Sequence, residues 1–343
     1  MTASPLRVIS VGVGGRARPH LSAQVALPEK FEAVGLVDIV PEAFNDALEI
    51  TGLSGSACFT TLTEAMAATP CDAVGVFTPG HLHTSYMEEA IAAGKHVIVE
   101  KPFTCSLEEA ERVVAAAEAN DVRVVVTQND RLFHPYPLLR EMIADQRYGE
   151  LGAITMVHHN ARGRPFENGY PPMHLWHQGS HQVDSLLSLV QRPPRCVWGV
   201  NATPANSNWT AEPHVCAIIT FDGPVIVSYT ATSDAQAYEM YVRLEFSEAA
   251  VTMHGLTMNS TDFDLKITPR QPLERYPRSE LFPIGKAERG GRWADIEQEI
   301  WNGFWSHIME GQDNPCSGRN NLDTIGVLDA IIRSSTERIA VEL

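Results

Sequence analysis

Three groups of residues in this chain have the types and spacing to do chemistry. The first is Glu100-Lys101-Pro102. It closes the apolar run Val97-Ile98-Val99, which reads as a buried parallel strand. The carboxyl end of such a strand is where open α/β sheets bind ligands, so Lys101 stands where an ammonium could meet a bound molecule. Pro102 stiffens the turn and removes a donor, which forces the chain out of the sheet. Taken alone, Lys101 also reads as a surface lysine snorkelling from a core strand. The second group is Gly12-Val13-Gly14-Gly15-Arg16-Ala17, a G-x-G-x-x-A sequence where a strand meets a helix. Gly12 permits a tight turn, Gly14 lets a pyrophosphate approach the backbone, and Ala17 lets the helix pack closely. The helix N-terminus then offers unpaired N–H groups to phosphate. The third group is His174, His177, His181 and Asp184, which share one face at helical spacing. Histidine exchanges protons near neutral pH and suits acid–base work.

Other residues gather around these. The strand after the glycine loop ends in Asp38, at the spacing of a carboxylate that accepts from ribose hydroxyls and repels a 2′-phosphate. Ile39 and Val40 follow without an arginine, so NAD is expected rather than NADP, although Arg16 could itself reach a phosphate. Thr78-Pro79 with His83, and Asn129, end two further strands on the same sheet edge. Arg131, Arg162 and Arg164 could bind a carboxylate or phosphate, or form surface ion pairs. Tyr170 and Trp176 could stack on a ring or simply be buried aromatics. Three histidines and Asp184 could hold zinc, but a substrate-lining helix shows the same spacing, and no metal is expected.

These groups require elements to carry them. In the first part of the chain, strands over 6–11, 31–37, 73–77, 96–99 and 122–126 alternate with helices, clearest over 84–93 and 107–120. Ser106 is the expected N-cap of the latter, with glutamates in its first turn. That alternation implies βαβ units and a parallel sheet. After about residue 150, half-buried strands follow one another over 225–232, 241–246, 249–253 and 263–268, with an Asp222-Gly223 hairpin turn. An antiparallel sheet is expected, with one face left for a partner. Residues 269–292, rich in Pro, Arg and Gly, read as a surface excursion. Ile296, Ile300, Phe304 and Ile308 define an amphipathic helix that stops at Gly311, and a last helix is expected over 321–338.

The bulk properties agree with a two-domain protein of 343 residues. A formal net charge of −16, without basic runs, argues against nucleic acid. No apolar run approaches the length of a membrane span. The opening residues carry no secretory pattern and the six cysteines are scattered, so a reducing, cytoplasmic location is expected.

Gly12-x-Gly14-x-x-Ala17, Thr78-Pro79 with His83, Glu100-Lys101-Pro102 and Gly179-x-His181-x-x-Asp184 occur in order across nearly the whole chain. Together they resemble the glucose–fructose oxidoreductase/inositol dehydrogenase family, also called Gfo/Idh/MocA. The resemblance implies an α/β chain: an N-terminal Rossmann domain with a doubly wound parallel sheet over 1–127, and a C-terminal α+β domain over 128–343 with a large open, mostly antiparallel sheet. The closing helix would pack back on the first domain. The resemblance further implies NAD(P)-dependent hydride transfer at a secondary hydroxyl of a sugar, glycoside or cyclitol; a homodimer or homotetramer joined through the open sheet face is expected. Lys101 matches the lysine that bonds the reacting oxygen, His181 the acid/base histidine, and Asp184 the acid that follows it. The cofactor residues would be Gly12, Gly14, Gly15, Arg16, Ala17, Asp38, Thr78, Pro79, His83, Glu100, Lys101, Pro102 and Asn129. His177 stands where many members have aspartate, a departure that puts the usual proton relay in doubt. The Leu-Trp-His-x-x-x-His-x-x-Asp version is also similar to a branch that oxidises a cyclic hemiacetal from aromatic catabolism, although that branch lacks Glu-Lys-Pro. A third reading is a non-catalytic, NAD-dependent sensor on the same fold.

Overall fold

A computed structural model gives the structure of residues 4–162, 174–255, 263–270, 280–283 and 293–343. The chain divides into two units. The first comprises residues 1–129 and 291–325, the second 130–290 and 326–343. Where the sequence suggests one cut after residue 127, the chain thus returns to its first unit near its end.

The first unit is built on six parallel strands: β1 (Leu6–Val11), β2 (Phe31–Val37), β3 (Cys58–Phe59), β4 (Ala73–Val76), β5 (His96–Val99) and β6 (Val124–Val126). Their order is β3-β2-β1-β4-β5-β6, so the direction of winding reverses between β1 and β4. Both faces are covered, which is why β4, β5 and β6 are nearly unbroken runs of Val, Ile and Ala. The two-residue β3 is too short to leave a pattern in the sequence. Ser106 caps the helix Leu107–Ala119 as expected, accepting from Glu109 N–H at 3.2 Å. On the helix Trp293–Met309, Ile296, Ile300, Trp301 and Phe304 are buried, and Phe31 meets Trp301 edge-on with ring centres 4.9 Å apart. Gly311 follows it at a φ of +66°, a conformation that favours glycine. The chain then covers the edge of β6, where Val126 N–H donates to the Cys316 carbonyl at 2.8 Å.

The second unit carries a sheet of β7 (Leu151–Ala161), β8 (Pro194–Ala202), β9 (His214–Phe221), β10 (Ile226–Thr232), β11 (Asp234–Phe246), β12 (Ala249–Gly255), β13 (Asp264–Pro269), β14 (Glu280–Pro283) and β15 (Val341–Glu342). Its order is β14-β13-β12-β11-β7-β10-β9-β8-β15. Neighbours run antiparallel except β7 and β10, which are parallel. Gly223, at a φ of +92°, turns the chain between β9 and β10. Alternation sorts the side chains by face: Met156, Ile219, Val227 and Tyr229 are buried, whereas Trp198, Val200, Ile218 and Ile226 are exposed. Within the stretch 269–292, expected as a surface excursion, the described residues Glu280–Pro283 form the edge strand β14. It pairs with β13 by backbone register, which composition does not reveal.

Candidate functional site

In the first unit, the ends of β1, β2, β4, β5 and β6 bring together the residues expected to hold a dinucleotide. Gly12 has a φ of +78°, and a Cβ there would stand 2.7 Å from Thr78 Cγ2 and 2.8 Å from Thr78 N. Glycine is therefore required by conformation and by space. Gly14 and Gly15 meet nothing within 4 Å in the Cβ direction, so their backbone borders open space. Ala17 is fully buried and opens the helix Ala17–Val25, whose first N–H groups have no side-chain cap. Asp38 accepts from Val13 N–H and Val40 N–H, each at 2.9 Å, tying the end of β2 to the glycine loop. Ile39 is 81% exposed beside it. Thr78 Oγ1 and Asn129 Oδ1 are buried with no hydrogen-bond partner among the described residues. Open backbone at two glycines, an uncapped helix start and buried polar atoms in want of partners fit a dinucleotide with its phosphates at Gly14 and Gly15.

Lys101 is only 9% exposed. It follows Glu100, which accepts from Arg16 Nε at 2.6 Å and lies 2.7 Å from His20 Nε2. Burial would raise the Glu100 carboxyl, but Arg16, His20 and Lys101 together hold it well below the usual carboxylate range. His83 corrects one expectation. Rather than facing a cofactor it is fully buried, with its ring nitrogens each 2.8 Å from a carbonyl oxygen, those of Thr78 and Pro102. Burial holds this imidazole below its ordinary range. The ring packs between the turn after β4 and the turn after β5, and its neutral form donates to one of the two carbonyls. His20 and Glu297, both fully buried, complete the cluster and have no motif to announce them. A buried His or Glu in an otherwise apolar stripe is the one signal that could have found them.

In the second unit the third group changes shape. Leu175–Gly179 is a π-helical turn that leads into the helix Ser180–Val190. Its extra residue per turn breaks the common face expected of His174, His177, His181 and Asp184. His174 instead turns inward, to Ser233 Oγ at 2.7 Å, Gln182 Oε1 at 3.1 Å and Tyr229 Oη at 3.2 Å. Gln182 Nε2 lies 2.7 Å from His158 Nδ1, and the Tyr229 hydroxyl donates to Gln182 Oε1. Burial lowers His174 to about 4 and His158 to about 3, so both are neutral members of the core. This network anchors the helix whose next residues are functional candidates. His181 is 8% exposed, with Nδ1 3.9 Å from Asp130 Oδ1. Asp184 accepts from Arg131 Nη1 at 3.2 Å. Arg131 thus belongs to a largely buried ion pair, not to the surface. Asp130, 5% exposed, has nothing in the sequence to mark it, a lone aspartate some fifty positions from His181. Trp176 is buried, His177 is half-buried beside Gln178, and Arg162 is exposed. Arg164 and Tyr170 lie outside the described residues.

Comparison with known proteins gives this arrangement a family. Residues 6–128 match a family described as oxidoreductase family, NAD-binding Rossmann fold, and residues 136–252 match the GFO/IDH/MocA C-terminal domain. The chain belongs to the Gfo/Idh/MocA family of oxidoreductases. It is similar to an inositol 2-dehydrogenase of Arthrobacter, 29% identical over 305 residues, covering 86% of this chain and 84% of that protein. A 1-carboxy-3-chloro-3,4-dihydroxycyclohexa-1,5-diene dehydrogenase of Comamonas testosteroni is 28% identical over 169 residues, 46% of this chain and 41% of its own. In several other curated relatives, from Saccharomyces cerevisiae and Schizosaccharomyces pombe, the chain spans about half of their length. The same fold occurs in the WlbA dehydrogenase of Bordetella pertussis, solved with NADH and UDP-GlcNAcA. That likeness has a TM-score of 0.82 at 22% identity and covers 100% of this chain and 99% of the other.

Proposed function

We propose that this protein is an NAD-dependent dehydrogenase that acts at a secondary hydroxyl of a sugar, glycoside or cyclitol. The observation that carries the reading is Lys101: an almost buried lysine at the end of a parallel strand, on the same edge as a glycine loop shaped for a dinucleotide. Bound NAD supplies the hydride acceptor for the carbinol carbon. Lys101 bonds the substrate oxygen and offsets its developing charge, a donor already in place in a largely dry setting. His181 takes the hydroxyl proton, and Asp184 and Arg131 fix the turn of helix from which it projects. Asp38 accepts from the adenosine ribose and disfavours a 2′-phosphate, hence NAD rather than NADP. Arg16, being shared by two carboxylates, does not compensate for that repulsion.

The likeness to an inositol 2-dehydrogenase supports a polyol substrate, and the family's dehydrogenases support catalysis over a sensor role. A second reading, a cyclic diol of aromatic catabolism, draws on the Comamonas relative and on His177. A panel of sugars and cyclitols against cyclic diols, followed at the NADH absorbance, separates the two. On the substrate so identified, Lys101→Ala and His181→Ala should each lose about 10²-fold or more in kcat while NAD binding persists. Wild-type kcat in both variants would refute the roles. The apolar outer face of the second sheet supports a homo-oligomer.

A further inference from the structure

Glu297 has no part in the chemistry above, yet its position is hard to explain by packing. It lies in the apolar stripe of the helix Trp293–Met309, between Ile296 and Ile300, and is fully buried. Buried ion pairs add little stability compared with apolar side chains of similar volume, whereas a buried charge without its partner is strongly destabilising. A carboxylate in this stripe therefore does not stabilise the helix better than methionine or leucine would.

What Glu297 touches is more informative. Its Oε1 accepts from Arg16 Nη2 at 3.1 Å and Asn129 Nδ2 at 3.4 Å, and its Oε2 stands 3.2 Å from His20 Nδ1. Arg16 belongs to the glycine loop, His20 to the helix that loop opens, and Asn129 to the end of β6. Glu100 meets Arg16 and His20 as well, so the guanidinium is held by two carboxylates, one of them 281 positions away in sequence. A planar fork shared in this way has little freedom to turn. The His20 ring is fixed from a further side by stacking on Phe77, with centres 4.4 Å apart.

We infer that Glu297 is a positioning residue for the dinucleotide loop. Through Arg16 and Asn129 it holds the glycine loop and the end of β6 in the geometry that receives NAD, and it touches neither cofactor nor substrate itself. The inference rests on the reading of the glycine loop as an NAD site.

The test is the affinity of the purified full-length protein for NAD, measured by calorimetry with circular dichroism as the check of folding. Glu297→Met keeps the volume and removes the charge. It should weaken NAD binding about tenfold or more, the scale of a displaced binding geometry. Arg16→Met should lose a similar factor, and the double variant should be no worse than the weaker-binding single one, because the two side chains act as one unit. An unchanged Kd in Glu297→Met, or losses that add in the double variant, overturns the inference. If Glu297→Met does not fold, Glu297→Gln decides: about threefold or greater weakening supports it, and an unchanged Kd overturns it. A wild-type protein that binds neither NAD nor NADP would instead overturn the functional reading beneath it.

Discussion

A histidine that receives a proton during catalysis needs its ring held and its second nitrogen partnered. Asp130, 3.9 Å from His181 Nδ1, is one small movement away from providing both. Asp130→Asn should therefore lower kcat about tenfold while NAD affinity stays the same, as read from steady-state rates beside calorimetry. In the proposed mechanism this aspartate would take the place of the carboxylate absent at His177, which the sequence alone shows only as a gap. Gly12 is the opposite case, legible at once: at its φ a side chain is strained, and three backbone or side-chain atoms of Phe77 and Thr78 fill the space. Gly12→Ala should cost about 2 kcal/mol or more in unfolding free energy and abolish NAD binding, checked by urea titration and calorimetry. Local motifs such as Gly12-x-Gly14 and Glu100-Lys101-Pro102 carry their reason within a few residues. Asp130, His20 and Glu297 acquire theirs from partners far along the chain, so one sequence does not announce them.

At the scale of elements, the π turn over Leu175–Gly179 is what the spacing of the histidines concealed. It sends His174 into the core and leaves His181 to its own partners, and no residue type marks such a turn. The consequence is measurable. His158 and His174 are neutral in the folded protein, with values lowered to about 3 and about 4, whereas the unfolded chain takes up protons at the ordinary imidazole range. Their contribution is thus complete above about pH 6.5 and is lost as the pH falls toward 4 and below. The melting temperature should drop by about 5 °C or more between those limits. His174→Asn should show a lower Tm at pH 8 and a shallower decline below pH 6.5 by circular dichroism. Strand and helix alternation was readable in the first unit because both faces of its sheet are buried. The short β3 and the edge strand β14 were not, because two and four residues are too few to set up a pattern.

For the molecule as a whole, the outer face of β8, β9 and β10 presents Trp198, Val200, Ile218 and Ile226, all between 43% and 47% exposed. The proposed homo-oligomer would bury this surface. Light scattering should give a mass that is a multiple of the 37.7 kDa protomer, and Trp198→Glu with Ile218→Glu should return it to one. A single-protomer mass for the wild type would remove the proposed assembly. The composition of the first unit bears on something else, the order in which the molecule can be made. Its cofactor-binding sheet is closed at β6 by Cys316 and braced by Trp301, Phe304 and Glu297. A ribosome must therefore release nearly the whole chain before that unit can finish. By then the strands of the second sheet, except β15, have already been synthesised. The second unit in turn draws on residues 326–343, so each unit waits for a stretch of chain synthesised after most of the other.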